Sequence, residues 1–271
     1  MTLISTEWLN ENLNKVKIID ASWHLVKNRN AIEEYNKEHI EKAIFFNLDK
    51  NSNQKRDLPH NHFLPSASTH EKNISEMGIL NTDRICIYCH SDLISSCRAW
   101  FQFLYFGHDP KLVSVLNGGM KKWKLEGRKV TNLKTKIIPS KYKARENKNM
   151  IKVKSQIEEN IKRKEFTILD ARSKNRFLGL EPEPRSGIRS GSIEGSKSIP
   201  LNEIVNSENN TFLDTKKLRD IFNSSEISSN KIVMSCGSSV SASTLALAYS
   251  LINDDYIPKI YIGSWTEFGK K

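Results

Sequence analysis

A cysteine at position 236 has a sequence context that favours chemistry on its sulfur. Cys236 follows the apolar run KIVMS and precedes GSSVSA, which leads into the helical pattern STLALAYSLI. Small residues let successive backbone N–H groups point into one concavity, and the N-terminal end of the following helix adds partial positive charge. Both effects stabilise a thiolate, the nucleophilic form of cysteine. We therefore interpret Cys236 as a reactive thiol, although most free cysteines are small buried core residues.

The same loop argues against phosphoryl transfer. Cysteine phosphatases need an arginine shortly after the nucleophile, because a guanidinium clamps the phosphate. Ala242 and Ser243 occupy the positions where that arginine would stand.

The chain repeats itself, which predicts how its domains are organised. The matching segments, in the same order in each half, are VKIIDASW (16–23) with FTILDARS (166–173), EHIEKAIFFNL (38–48) with GSIEGSKSIPL (191–201), RICIYC (84–89) with KIVMSC (231–236), and LVSVLNGGMKKW (112–123) with PKIYIGSWTEF (258–268). The offset is 150 residues from Asp20 to Asp170 and 147 from Cys89 to Cys236. We predict two homologous domains, 1–130 and 145–271, joined by a polar, lysine-rich segment.

Each half alternates short apolar runs with longer helical patterns. Runs that are apolar at every residue fit strands covered on both faces, and strand–helix alternation implies a parallel sheet. The predicted fold class is therefore α/β, with a parallel sheet flanked by helices in each domain. Sites in such sheets lie beyond the carboxyl ends of strands, which is where Cys236 stands.

Charge and composition exclude several classes of protein. Lys and Arg number 42 against 31 Asp and Glu, a net charge of +11, but the lysines are scattered among acidic residues. A nucleic-acid partner would need them gathered on one face, so we expect none. The excess charge then fits either a solubilising surface or a field that attracts a small anionic substrate.

The cysteine count and the hydropathy pattern predict the compartment. Four cysteines in 271 residues exclude a disulfide scaffold and favour reduced thiols, so we expect a cytoplasmic protein. No stretch approaches the ~20 apolar residues of a membrane span, and the start MTLISTEWLNENLNK does not resemble a secretory signal. We expect no membrane association.

The repeat and the CGSSVSA loop resemble the tandem rhodanese-fold sulfurtransferases of the 3-mercaptopyruvate type, whose loop reads CGSGVTA. DARSKNRFLGLEPEPRSG (170–187) resembles the family's DAR…RF…EPEPR.G segment. FFNLD…HFLPS (45–66) and GSW (263–265) match further family segments. The resemblance implies two rhodanese-like domains, of which the C-terminal one is catalytic and the N-terminal one is non-catalytic.

The resemblance also implies roles for individual residues. Cys236 would carry a persulfide, and Arg176 and Arg185 would grip the carboxylate and carbonyl of the donor. The loop residues expected to hold the persulfide and the substrate are Gly237, Ser239, Val240 and Ser241.

Three further residues match the family's proposed relay. In it a carboxylate, Asp49, orients an imidazole, His62, which polarises the hydroxyl of Ser238 beside the sulfur. The loop departs from the family at two positions, where Ser239 replaces a glycine and Ser241 replaces a threonine. Glycine often marks a backbone angle that serine tolerates poorly, so Ser239 would alter the cradle or add a hydroxyl near the sulfur.

The implied activity is transfer of sulfur from 3-mercaptopyruvate through a Cys236 persulfide to an acceptor, with release of pyruvate. The acceptor would be thioredoxin, a small thiol or, in an assay, cyanide, and neither a metal nor an organic cofactor is implied. Two alternatives stay open: a thiosulfate:cyanide sulfurtransferase and a non-catalytic rhodanese-fold binding module. Cys89, which aligns with Cys236, is either part of an inactive copy or a second reactive thiol.

Overall fold

The described chain divides into two compact units. The computed structural model describes residues 2–25, 28–53, 55, 57–59, 61–225, 227 and 231–271. The first unit comprises 1–51, 65–147 and 207–211, and the second comprises 52–64, 148–206 and 212–271. Segment 52–64 thus belongs to the second unit, although it lies within the first half of the sequence.

The first unit contains a five-stranded sheet. Its strands are β1 (Leu3–Ile4), β2 (Lys17–Asp20), β3 (Ala43–Phe45), β4 (Ile85–Tyr88) and β5 (Val113–Leu116). Its helices are α1 (Thr6–Asn12), α2 (Ala31–Lys37), α3 (Ala67–Glu76), α4 (Ser96–Tyr105) and α5 (Gly119–Leu125), with a short 3-10 turn at Pro110–Leu112.

The second unit contains a sheet of the same size. Its strands are β6 (Ile151–Lys152), β7 (Thr167–Asp170), β8 (Lys197–Ser198), β9 (Ile232–Ser235) and β10 (Ile260–Tyr261). Its helices are α6 (Lys154–Arg163), α7 (Lys174–Leu178), α8 (Leu201–Ile204), α9 (Thr215–Ser224), α10 (Val240–Ser250) and α11 (Ser264–Phe268), with a 3-10 turn at Lys148–Met150.

The two sheets have the same topology. The strand order is β1-β5-β4-β2-β3 in the first and β6-β10-β9-β7-β8 in the second, and every pairing is parallel. Each strand of one sheet therefore has a counterpart at the same place in the other. The α/β class and the repeat predicted from the sequence are confirmed.

The apolar runs form the central strands because both faces of each sheet are covered. All four residues of β4 and all four of β9 are buried. Helices pack over these strands, and a buried tryptophan anchors a core cluster in each unit, Trp123 in the first and Trp265 in the second. Burial on both faces explains why these runs are apolar at every position rather than at alternate ones.

The pairing of β7 with β9 brings two motifs together. Asp170 at the end of β7 lies opposite Ser235 at the end of β9, and the Ala171 amide donates to the Ser235 carbonyl at 2.9 Å. The residues that follow, Arg172 and Cys236, therefore leave the sheet at the same edge. Among the described residues, no helix has both the length and the apolar character that crossing a bilayer requires.

Candidate active site

Cys236 occupies a loop between a buried strand and a buried helix. It is the first residue after β9, and α10 begins four residues later at Val240. The first amide groups of a helix have no acceptor inside that helix, so those of Val240 and Ser241 face the loop. Cys236 is only 2% exposed, so the residue is shielded from bulk water.

Helix α11 fixes the direction of the loop's peptide groups. The amides of Trp265 and Thr266 donate to the carbonyls of Cys236 and Gly237, each at 2.9 Å. The hydroxyl of Ser264 accepts from the amides of Cys236 at 3.3 Å and Ser239 at 3.1 Å. Because the two carbonyls are held by α11, the peptide groups between them and α10 are kept in one orientation, as a preorganised anion site requires.

Ser239 adopts the backbone conformation that the family's glycine would favour. Its φ is 65° and its ψ is 1°, in the left-handed region, at the residue that caps α10. Its hydroxyl donates to the His62 carbonyl at 3.4 Å. The substitution therefore leaves the turn in place, with a side chain where the glycine has none.

Ser238 connects an arginine to a histidine. Its hydroxyl oxygen accepts from Nη2 of Arg185 at 2.8 Å and lies 3.1 Å from Nδ1 of His62. Arginine can only donate, so the hydroxyl proton of Ser238 is available to His62 when Nδ1 is unprotonated. All three side chains are buried. The second unit thus brings together three of the residues predicted from the sequence.

Two guanidinium groups flank the loop at Gly237. A methyl group built at Gly237 would lie 2.9 Å from Nη1 of Arg185 and 3.3 Å from Nη2 of Arg176. A side chain at Gly237 would therefore push the ends of both arginine side chains away from the loop. Arg176 and Arg185 thus converge on the cysteine loop, and their grip on the donor stays a prediction.

Arg185 is a buried cation beside the cysteine. Burial lowers the pKa of its guanidinium from the ordinary value, an effect that the nearby Cys236 opposes and Arg176 reinforces. Arginine nevertheless remains charged at physiological pH. Its charge therefore faces the loop in a site with little water to screen it.

A buried carboxylate holds Arg176 in place. Glu183 accepts from Nη2 and Nε of Arg176 at 2.6 and 3.2 Å and from Nη1 of Arg172 at 2.7 Å. Arg172 in turn donates to both carboxylate oxygens of Asp170. Burial alone would raise the pKa of Glu183, but the two arginines outweigh it and the pKa is lowered.

The remaining member of the predicted relay lies in the first unit. Asp49 stands in the exposed turn that follows β3, whereas His62 belongs to the second unit. The part of Asp49 in a relay stays a prediction.

The corresponding loop of the first unit has a different chemistry. Cys89, at the end of β4, donates weakly to the Ser91 carbonyl at 3.7 Å and the Ser96 hydroxyl at 3.5 Å. Burial raises the pKa of its thiol. These contacts favour the inactive-copy interpretation of Cys89.

Sequence reasoning did not assign roles to three residues that shape the site. They are Arg172, Glu183 and Ser264, and each lies inside a motif noted for other reasons: DAR, EPEPR and GSW. Glu183 could have been singled out from the sequence, because it is a carboxylate two residues before Arg185 in the same motif. Ser264 could not be found this way, because it meets Cys236 only through the fold.

Comparison with known proteins decides the family. The sequence profile described as Rhodanese-like domain matches residues 5–126 and 153–271. The chain belongs to the rhodanese family. Its tandem rhodanese architecture is shared by the 3-mercaptopyruvate sulfotransferase SseA from Escherichia coli, with a TM-score of 0.86, 28% identity, and coverage of 98% of this chain and 99% of that one.

Relatives in eukaryotes carry names of the same class. The protein is 36% identical to thiosulfate/3-mercaptopyruvate sulfurtransferase 1, mitochondrial, from Arabidopsis thaliana, over 98% of this chain and 75% of that protein. It is 33% identical to the human 3-mercaptopyruvate sulfurtransferase, over 98% of this rhodanese and 91% of the human protein. The sulfurtransferase class predicted from the sequence is confirmed, and its substrates are a sulfur donor and a thiol acceptor.

Proposed function

We propose that this protein transfers sulfur from 3-mercaptopyruvate through a persulfide on Cys236 to a thiol acceptor, releasing pyruvate. The observation that carries the proposal is the convergence of Arg185 and Arg176 on the cysteine loop. Two guanidinium groups match a donor that has a carboxylate next to a carbonyl, since both are planar acceptors. The loop residues Ser238, Ser239 and Ser241 are neutral. The charges that select the donor are therefore those of the two arginines.

The first half-reaction forms the persulfide. The Cys236 thiolate attacks the donor sulfur, a sulfur–sulfur bond forms, and the carbon–sulfur bond of the donor breaks. The electron pair of that bond passes to the donor carbon, which gives the enolate of pyruvate. A proton delivered through Ser238 and His62 converts the enolate to pyruvate, and the loop amides stabilise the developing charge.

The second half-reaction regenerates the thiolate. An acceptor thiolate attacks the outer sulfur of the persulfide, and the Cys236 sulfur leaves with the electron pair. We place this step with thioredoxin or a small thiol as acceptor, in the cytoplasm, where reduced thiols persist.

Thiosulfate is the second candidate donor, and the Arabidopsis relative's name includes it. Thiosulfate is an anion without a carboxylate, so it would depend less on a planar guanidinium pair. Measuring kcat/KM for both donors in the wild type and in Arg185→Ala discriminates them. We expect 3-mercaptopyruvate to be preferred, and Arg185→Ala to lower its kcat/KM about 10- to 100-fold, as loss of charge-assisted hydrogen bonds of about 1.5–3 kcal/mol implies.

Arg163→Ala is the matched control, because Arg163 is a 63% exposed helix residue paired with Glu159. This variant should leave kcat/KM unchanged for both donors. Preference for thiosulfate together with a silent Arg185→Ala would refute the donor assignment. Mass spectrometry after donor exposure tests the class itself: the peptide that contains Cys236 should gain one sulfur atom, and an unshifted peptide would indicate a non-catalytic binding module.

A further inference from the structure

A cavity lies at the amino-terminal edge of the first unit's sheet. Its volume is about 900 Å³, and its wall includes Lys17 at the start of β2, Lys42 immediately before β3 and Arg84 immediately before β4. The cysteine loops of both units follow the carboxyl ends of strands instead. The cavity is therefore distinct from either cysteine loop.

One side of this cavity, which we call the basic cavity, is a strap formed by residues 131–138. The strap is held by Thr131, whose amide and carbonyl bond to those of His39, and by Thr135, whose hydroxyl donates to the Ala43 carbonyl at 2.7 Å. At the far end the Ile138 carbonyl passes over Gly78, where an added methyl group would lie only 2.4 Å away. These contacts hold the strap in place, so the cavity is an ordered part of the fold of the first unit.

The charges around the basic cavity are unbalanced. Its cationic lining residues are Lys15, Lys17, Lys42, Arg84, Lys134 and Lys136. Only Glu41 and Asp83 oppose them, and Asp83 already accepts from the Leu80 amide at 2.8 Å. In the described part of the chain none of the six cations has a carboxylate within 4.0 Å.

We infer that the basic cavity binds a compact molecule that carries two or three linked phosphate groups. Four positive charges in excess around one concavity attract an anion of comparable charge. The volume falls in the range of small-molecule sites, roughly 300–1,000 Å³. Apolar lining residues such as Val16, Ile44 and Ile137 leave room for an uncharged body attached to the phosphates.

The lining favours a small anion over a nucleic-acid strand. Proteins that bind single strands stack bases on aromatic side chains, and no aromatic residue lines the basic cavity among the described residues. An acidic peptide has the right charge, but its carboxylates are spaced along a chain, whereas the cations here surround one concavity. The experiment therefore includes a peptide as a competing outcome.

Isothermal titration calorimetry of the full chain tests the inference, with orthophosphate, pyrophosphate and tripolyphosphate at fixed ionic strength. Affinity should rise in that order. The double variant Lys17→Gln/Arg84→Gln should lower tripolyphosphate affinity at least about tenfold, because it removes two of the facing charges. Lys42→Gln/Lys136→Gln should do the same, and it provides an independent test if the first variant folds poorly.

The matched control is Lys162→Gln/Lys216→Gln, which removes the same charge from exposed helical residues of the second unit. It should change the affinity less than twofold. The inference is overturned if tripolyphosphate gives no binding heat, if the control loses as much affinity as the cavity variants, or if hexaglutamate binds more tightly than tripolyphosphate.

Discussion

The carboxylate of Glu183 grips the guanidinium of Arg176 through two hydrogen bonds, at 2.6 and 3.2 Å. The same carboxylate is almost fully buried and also accepts from Arg172. Arg176 therefore reaches the cysteine loop with one edge of its guanidinium already committed. Glu183 is a positioning residue: it sets where the remaining N–H groups of Arg176 point.

Glu183→Gln should weaken donor binding without abolishing turnover. An amide cannot accept from both arginines as a carboxylate does, so we expect KM for 3-mercaptopyruvate to rise about tenfold while kcat changes less, as loss of one charge-assisted interaction implies. Steady-state kinetics measures this split. Glu181→Gln is the control in the same motif, since Glu181 is exposed and bonds Asn175 and Ser173. Equal effects of the two substitutions would contradict a positioning role.

Ser238→Ala should remove the link between Arg185 and His62. The variant leaves the Arg185 Nη2 donor and the His62 ring without their shared partner, and it cuts the proposed proton route. We expect kcat to fall about 100-fold, within the range of general acid–base contributions. Ser250→Ala, at the last residue of α10, serves as control and should retain most activity. Pyruvate release at the wild-type rate in Ser238→Ala would argue against proton delivery through this hydroxyl.

Ser239→Gly should stabilise the protein. A left-handed conformation costs a residue with a side chain roughly 1–2 kcal/mol, which glycine does not incur, and only the long 3.4 Å bond to the His62 carbonyl is lost. The free energy of unfolding, measured in urea, should rise by about 1 kcal/mol. Ser239→Ala loses the same hydroxyl but keeps the unfavourable conformation, so it should be no more stable than the wild type. If the alanine variant proved as stable as the glycine variant, the left-handed backbone at Ser239 would not be strained.

His70 should make the first unit sensitive to acid. Burial, with a smaller effect from His108, lowers the pKa of its imidazole from 6.5 to about 3. Below pH 6.5 the unfolded chain gains a proton that the folded protein does not take up, so stability decreases as pH falls from 6.5 towards 3. The slope is at most ~1.4 kcal/mol per pH unit for one group.

Urea unfolding of wild type and His70→Phe between pH 5 and 6.5 checks this slope in a window above the ordinary pKa of carboxylates. Phenylalanine keeps the stacking with Phe106, whose ring centroid lies 4.0 Å from that of His70. The variant should show a flatter dependence. An unchanged slope would assign the acid sensitivity to other groups.

Cys89→Ser should retain most sulfur transfer, whereas Cys236→Ser should abolish it. The thiol of Cys89 is buried with a raised pKa, and within the described part of the first unit its bonds are to Ser91 and Ser96. Donor-dependent pyruvate release provides the measurement. Comparable losses in the two variants would show that both thiols take part.

Much of this architecture could be read from the sequence because it depends on local pattern. The repeat is recognisable from two local features alone. These are the Asp-Ala pairs at Asp20 and Asp170 and the cysteines at the ends of β4 and β9. Fully apolar runs predict buried parallel strands for a general physical reason, namely burial on both faces. The approach of Arg176 and Arg185 to the loop is expected from the resemblance of segment 170–187 to the family's DAR…RF…EPEPR.G pattern.

The remaining contacts of the site join residues that are far apart in the sequence, and no local pattern encodes them. His62 meets Ser238 across 176 residues, and Ser264 meets the Cys236 amide across 28. The bridging of Arg172 and Arg176 by Glu183 requires the turn that folds 181–183 back over the end of β7. Serine at a left-handed position is also contrary to residue preference, so Ser239 adopts φ 65° because the surrounding structure imposes it.

The contacts made by Ser264, Trp265 and Thr266 have a consequence for biosynthesis. A ribosome adds about 5–20 residues per second, so Cys236 emerges a second or more before the three residues that orient its loop. During that interval the nascent chain bears an ordinary thiol with no shaped surroundings. The shape of this loop therefore depends on contacts that cannot form until the residues of α11 have been synthesised.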